Sequence, residues 1–254
     1  MIKVIYDGSF EGFLTAIFDI YFLKLSVKSI DPKSPKSTAL FQESKKIITD
    51  INKAKRVWKG IEQKAGKSAA RFIYVCFLSE KTGVEMLLLA AVKELLKGKA
   101  NHLKNFRDPQ MVDLQKIRKQ MGREVHRMHA FVRFRETTDD LWVALIEPDF
   151  NVLPLAGQHF KERYPAMRWF IIDLKRRYGL YHEEGKMEFR TLDNEQLFEL
   201  KKVDEDILTA DENAYTGMWK AYFKSVNISE RNNDKLQLRH VPKRYRHLMT
   251  EDWD

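Results

Sequence analysis

The chain has 254 residues and a mass of 30.1 kDa, with 45 Lys and Arg against 36 Asp and Glu, a formal net charge of +9 and a pI near 9.4. Apolar residues make up 44%, Gly and Pro number 11 and 7, and Cys76 is the one cysteine. That composition excludes a disordered chain, an internal disulfide framework and a four-cysteine zinc site. The longest uninterrupted apolar runs, Phe72–Leu78 and Met86–Val92, reach seven residues, so a soluble, cytoplasmic protein with no membrane span and no secretory signal is expected.

In chain order, Ile2–Tyr6 reads as a short strand ending at the turn Asp7-Gly8. Ser9 follows as a helix N-cap with Glu11 in the first turn, and Phe10, Phe13, Leu14, Ile17, Phe18 and Tyr21 recur at helical spacing. Residues 28–67 carry eleven basic and four acidic side chains, with a loop at Asp31-Pro-Lys-Ser-Pro and a helix over Glu43–Gln63. Two packed helices follow, Phe72–Leu78 and Val84–Leu96, although periodicity alone leaves a buried strand open for the first. Asp108-Pro109 starts a helix with the apolar stripe Met111, Leu114, Ile117, Met121, Val125 and Met128.

From Ala130 the pattern changes. Ala130–Glu136 and Leu141–Glu147 read as a β-hairpin around Thr137–Asp140, and Phe150–Leu155 as a third strand. A short helix is predicted over Gln158–Tyr164, a strand over Arg168–Leu174, and a hairpin from Tyr178–His182 and Lys186–Arg190. The acidic stretch 193–212 suits a solvated helix, Glu212–Val226 an amphipathic one, and the basic tail from Asn227 is irregular. The fold class is α+β: a helical N-terminal half packed on a mainly antiparallel sheet formed by the C-terminal half plus the N-terminal strand. With no repeat and no linker, residues 1–254 read as one integrated domain, helix-rich over 1–128, sheet-rich over 129–192, with a C-terminal helix and basic tail over 193–254.

Charge is concentrated most between Lys97 and Arg135, where eleven basic residues face three acids. Lys116, Lys119, Arg123 and Arg127 fall at i, i+3, i+7 and i+11, one helix face, and Phe131, Arg133 and Arg135 share a side of the expected strand. Cations with an aromatic between them can grip a phosphate backbone and stack a base; strand arginines paired with acids such as Glu147 would explain the same residues structurally. The run Arg127–Phe134 overlaps an RNA-recognition signature at six of eight positions but lacks its glycine and first aromatic, at Met128 and His129. His126, His129 and His159, with Glu147 or Asp173, invite an acid–base reading; their spacing matches no zinc motif, and neither a metal nor a cofactor is expected. The loop Asp7–Gly12 between strand and helix offers backbone N–H groups to an anion, or serves only as turn and cap. Cys76, in an apolar run, reads as a packing residue. The tail adds a basic stretch centred on Pro242-Lys-Arg-Tyr245.

Several runs then fall in a characteristic order: Tyr6-Asp-Gly-Ser-Phe-Glu-Gly-Phe13, Val125–Phe134, Ile146-Glu-Pro-Asp149, His159-Phe-x-x-Arg-Tyr164, Met167-Arg-Trp169, Asp173, Trp219-x-x-Tyr-Phe223 and Pro242-Lys-Arg-Tyr245. The series resembles a bacterial family of uncharacterised proteins labelled as DNA-metabolism or DNA-repair proteins. Its members stand beside a radical-SAM protein or are fused to a uracil-DNA glycosylase-like domain. The resemblance implies a nucleic-acid-binding accessory protein of DNA repair or modification, with DNA (duplex or single strand) and a radical-SAM protein as partners. Lys116, Lys119, Arg123, Arg127, Arg133, Arg135, Arg163, Lys243 and Arg244 are then the expected phosphate contacts and Phe131 the stacking residue. The alternative is an enzyme on a nucleotide or nucleic-acid substrate with His126, Glu147, His159 and Asp173 as its polar cluster. A protein-interaction module that docks an acidic partner is a third possibility.

Overall fold

The computed structural model describes residues 1–32, 44–137, 140–193 and Tyr245, which fall in two compact units, Met1–Gly122 and Arg123–Asp254. The architecture is α+β, with a helical N-terminal half and a strand-rich C-terminal half. Among the described residues no helix is long and apolar enough to cross a membrane.

In the first unit, strand β1 (Ile2–Tyr6) leads through Asp7–Ser9 into helix α1 (Phe10–Phe22). Ser9 caps α1 as its sequence predicts: its Oγ accepts the Gly12 N–H at 2.9 Å, while its own N–H and hydroxyl donate to Asp7 Oδ1. A side chain at Gly12 would meet Asp7 Oδ1 at 2.2 Å and Thr49 Oγ1 at 2.9 Å, and would push aside the Asp7 carboxylate with its bonds to Ser9 and Thr49. Strand β2 (Val27–Pro32) and strand β3 (Ser44–Lys46) flank β1, both parallel to it. The N-terminal strand is therefore the centre of its own three-stranded parallel sheet, not a member of the C-terminal sheet as expected. Helix α2 (Ile51–Ala65) begins eight residues later than expected, because Asp50 accepts the N–H groups of Asn52 and Lys53 and sets the start there, while Ser44–Lys46 pairs with β1.

Helices α3 (Lys67–Phe77) and α4 (Val84–Leu96) follow, so the apolar run around Phe72 is helical. Its buried positions, Ala69, Phe72, Ile73, Cys76 and Phe77, recur at three and four, the spacing of one helix face. Phe10, Phe13 and Phe77 pack together with centroids 5.1 to 6.5 Å apart, joined by Tyr6, Trp58 and Tyr74. Such aromatic pairs contribute about 0.5–1.5 kcal/mol each beyond their buried area. After a 3-10 turn at Ala100–Lys104, helix α5 (Pro109–Phe131) runs for 23 residues, burying Met111, Leu114, Ile117, Met121 and Met128.

The second unit holds a five-stranded sheet in the order β4 (Arg135–Glu136), β5 (Trp142–Ile146), β6 (Trp169–Asp173), β7 (Tyr178–Glu183), β8 (Lys186–Thr191). Only β5 and β6 pair in parallel; helix α6 (Leu153–Arg163) makes the crossover between them. Two expectations are corrected here. The apolar run Phe150–Leu155 is not a strand: Val152 and Leu153 are buried at the start of α6, where Pro154 is tolerated. The strand expected over Ala130–Glu136 shrinks to two residues, because α5 continues through Phe131. On one face of the sheet Trp169, fully buried, meets Phe134, Phe160 and His182. On the other, Val143, Phe170, Ile172 and Tyr181 form a second apolar layer.

Candidate nucleic-acid interface

The basic stripe of α5 is real as a helix face but uneven in its chemistry. Burial of Met111, Leu114, Ile117 and Met121 turns Lys116, Lys119 and Arg123 to solvent. Lys116 Nζ is 3.0 Å from Asp113 Oδ1 one turn back, an exposed pair worth little. Neither Lys119 nor Arg123 has an ion pair or side-chain hydrogen bond among the described residues. Arg127 is half-buried, and its guanidinium donates to Glu124 Oε2 at 3.3 Å.

The residues expected to share a strand side do not. Phe131 ends α5, half-buried, with its ring 5.7 Å from that of Tyr245. Arg133 lies in the link to β4 and donates to the carbonyls of Ala130 at 2.7 Å and Val132 at 3.3 Å, where the open C-terminus of α5 offers acceptors. Arg135 alone stands in a strand, on β4. Arg163 is exposed at the end of α6, with its guanidinium 5.7 Å from the Tyr164 ring. Lys243 and Arg244 lie outside the described residues, as do the two helices predicted over 193–226.

Glu124 carries a role that sequence reading missed. Its carboxylate is almost fully buried, and it accepts the Asp149 N–H at 3.0 Å, the Arg127 guanidinium and the hydroxyl of Tyr245. Tyr245, from the Pro242-Lys-Arg-Tyr245 run, is buried against this group. A single acid inside a basic stripe looks like surface decoration, and its signal was only its place beside the apolar positions 121 and 128.

Of the proposed polar cluster, Asp173 is fully buried at the end of β6, and its carboxylate binds the Arg176 N–H at 3.0 Å and guanidinium at 2.9 Å. Arg176 in turn donates to the carbonyls of Pro148 and Asp149. Burial raises the Asp173 carboxyl above its ordinary range, with Arg176 opposing that shift. This is a strut for the turn after β6, and among the described residues it shares no hydrogen bond with a histidine. Glu147 follows β5, half-buried. His126 is exposed on α5, whereas His159 of α6 stacks on His129 of α5 at 4.0 Å and 16°. Burial, then the neighbouring His159 and His126, lowers the His129 pKa, and its Nε2 is buried without a partner among the described residues. No group of three or more His, Cys, Asp or Glu among the described residues is placed to hold a metal ion.

In the first unit, Asp7 sits exposed where β1 meets α1, and its carboxylate is saturated by Ser9 and by the Thr49 hydroxyl at 2.6 Å. These bonds hold its carboxyl below the ordinary range although burial acts in the opposite direction. Cys76 is buried, its thiol pushed up to about 12 by desolvation, which removes it as a nucleophile.

No curated protein matches the chain. Residues 82–251, more than half of its length, match the model of a domain of unknown function, DUF4130, a span that holds α5, the five-stranded sheet and the Glu124–Tyr245 contact. The chain belongs to the DUF4130 family.

Proposed function

We propose that the protein is a nucleic-acid-binding accessory protein of the bacterial cytoplasm that works with a radical-SAM partner in DNA repair or modification. The observation that carries the binding is the exposed pair Lys119 and Arg123 on α5, one turn apart and with no acidic partner among the described residues. An ammonium or guanidinium already matched to a carboxylate releases few counterions on meeting a phosphate, whereas an unmatched one releases its full share. Lys116 adds a third contact, its pair with Asp113 being exposed and weak. The repair or modification setting and the radical-SAM partner rest on the resemblance of the ordered motifs alone. The enzyme reading is weakened by Asp173, whose carboxylate is committed to Arg176.

Fluorescence anisotropy on a duplex at several salt concentrations tests this. Three phosphate contacts give a log–log salt slope of about −2.7, against about −5 if Lys116, Lys119, Arg123, Arg127, Arg133 and Arg135 all engaged. The double variant K119E/R123E, at exposed positions, should fold normally and flatten the slope by about 2. No binding of the wild type to either duplex or single strand at about 50 mM salt refutes the proposal.

A further inference from the structure

A second basic surface lies in the first unit, on α1 and on α2, whose residues fall within the basic stretch 28–67. Helix α2 buries Ala54, Val57 and Ile61, which turns Lys55, Arg56 and Lys59 outward, all three exposed and with no ion pair among the described residues. Of the acids nearby, Asp19 is held by Lys53 at 2.8 Å and Asp50 by the N–H groups that open α2, while Glu62 stands one turn beyond Lys59 on the same helix and forms no ion pair with it. Beside these cations stands an aromatic pair from α1. Phe22 is 73% exposed, unusual for a phenylalanine at the end of a well-packed helix, and its ring stacks on Phe18 at 5.9 Å and 19°. The Arg56 guanidinium covers the Phe18 ring at 5.1 Å and Lys53 Nζ lies 5.6 Å from the same centroid. The fold thus holds Phe18 between a cation and a second ring, and leaves Phe22 open to solvent.

An open ring backed by a second ring, beside three unmatched cations, is the arrangement that binds unpaired bases along a phosphate chain. We propose that this α1–α2 surface binds single-stranded nucleic acid. A base stacks on Phe22, and the adjoining phosphates meet Arg56, Lys59 and Lys55. A duplex cannot use Phe22, because its bases already stack on one another, so strand preference is the signature of the site. The inference rests on the nucleic-acid-binding reading and assigns to it a second surface and a substrate form.

The experiment measures anisotropy of a twelve-residue oligothymidylate and of a duplex with the wild-type protein, F22A, F22W, R56E/K59E and K119E/R123E. F22A should weaken the single strand roughly 5- to 150-fold, the range of one lost base–aromatic stack, and leave the duplex within twofold. F22W should restore single-strand binding. R56E/K59E should flatten the single-strand salt slope by about 1.4. If F22A binds the single strand as the wild type does while K119E/R123E loses duplex binding, the α1–α2 site is refuted and the α5 interface stands. If the wild type binds neither nucleic acid, both fall. Sedimentation of the same variants covers the other occupant: a wild-type dimer that F22A dissolves, with unchanged single-strand affinity, makes the patch a contact between copies and overturns the proposal.

Discussion

Removing one oxygen at Tyr245 tests the least expected feature of the second unit. Glu124 is almost fully buried, and among its donors are the Asp149 N–H, the Arg127 guanidinium and the Tyr245 hydroxyl. Y245F keeps the ring against Phe131 and deletes only the donor. A hydrogen bond to a buried charged group contributes about 1.5–3 kcal/mol. The Asp149 N–H and the Arg127 guanidinium still serve the carboxylate, so the lower half of that range applies, about 1.5–2 kcal/mol. For a chain of this size that lowers the melting temperature by roughly 3–8 °C. Thermal melts and urea unfolding followed by circular dichroism measure it, and E124M, which has no acceptor for the hydroxyl, supplies the second arm of a double-mutant cycle. Y245F should cost about 0.5 kcal/mol or less once the carboxylate is gone, a coupling of at least about 1 kcal/mol. A Y245F protein that melts within 1 °C of the wild type, or a cycle with no coupling, refutes the strut. The same variant separates a strut from a base-stacking tyrosine, since a phenylalanine would still stack.

Two further predictions follow from buried contacts. Tyr6 donates to the buried carboxyl of Glu85 at 3.1 Å, and burial holds that carboxyl above its ordinary range. A folded-state pKa above the unfolded one means that the stabilising contribution is fully present below the unfolded pKa and declines as pH rises through the folded one. E85Q, which can still accept the Tyr6 proton, should therefore gain on the wild type as pH rises from about 4 to 8, and parallel melting curves across that range refute the claim. At Gly179, on β7 between its neighbours β6 and β8, an added methyl would lie 2.4 Å from the Phe170 ring and 2.8 Å from the Ile171 carbonyl. G179A should cost about 1–3 kcal/mol by overpacking, because a paired strand cannot retreat as a side chain can, and an unchanged urea midpoint shows otherwise.

Sequence reading recovered the elements whose signal is local. In α1, α4 and α5 the buried residues recur at helical spacing, and each has the caps or turn residues to mark it. It failed where a short segment is defined by a distant partner. Residues 44–46 become a strand only because β1 lies alongside, and their polar composition gave no hint of it. Phe150–Leu155 and Ala130–Glu136 are apolar runs too short for periodicity to decide, and each was resolved by a neighbouring helix extending into it. For the interface the pattern was similar. That Lys116, Lys119, Arg123 and Arg127 share a face follows from spacing alone. Which of them remain available does not, since Arg127 is claimed by a carboxylate whose burial involves a tyrosine 121 residues away.

That distinction decides how a net charge of +9 becomes an interface. Many cations here are matched locally: Lys97 and Lys99 share Glu94 at 2.6 and 2.8 Å, Lys53 holds Asp19, Arg190 meets Glu188, and Arg176 meets Asp173. Such a pair presents a dipole, whose field dies away faster with distance than that of a lone charge, and at physiological salt even a lone charge is screened beyond about 8 Å. Charges with no partner act most strongly on an approaching polyanion at that range. By this criterion Lys119 with Arg123 on α5 and Lys55, Arg56 and Lys59 on α2 are two clusters, among several unmatched cations of the described residues, that can act on a polyanion. The second has the exposed Phe22 ring on the adjoining helix, stacked on the Phe18 ring that Arg56 covers. The α5 cluster lies within the span matched by the family model and the α2 cluster outside it. A duplex reader without the α2 platform and a single-strand reader with it are therefore separable chemistries on one chain, and charge reversal at one cluster should leave the other's preferred substrate bound.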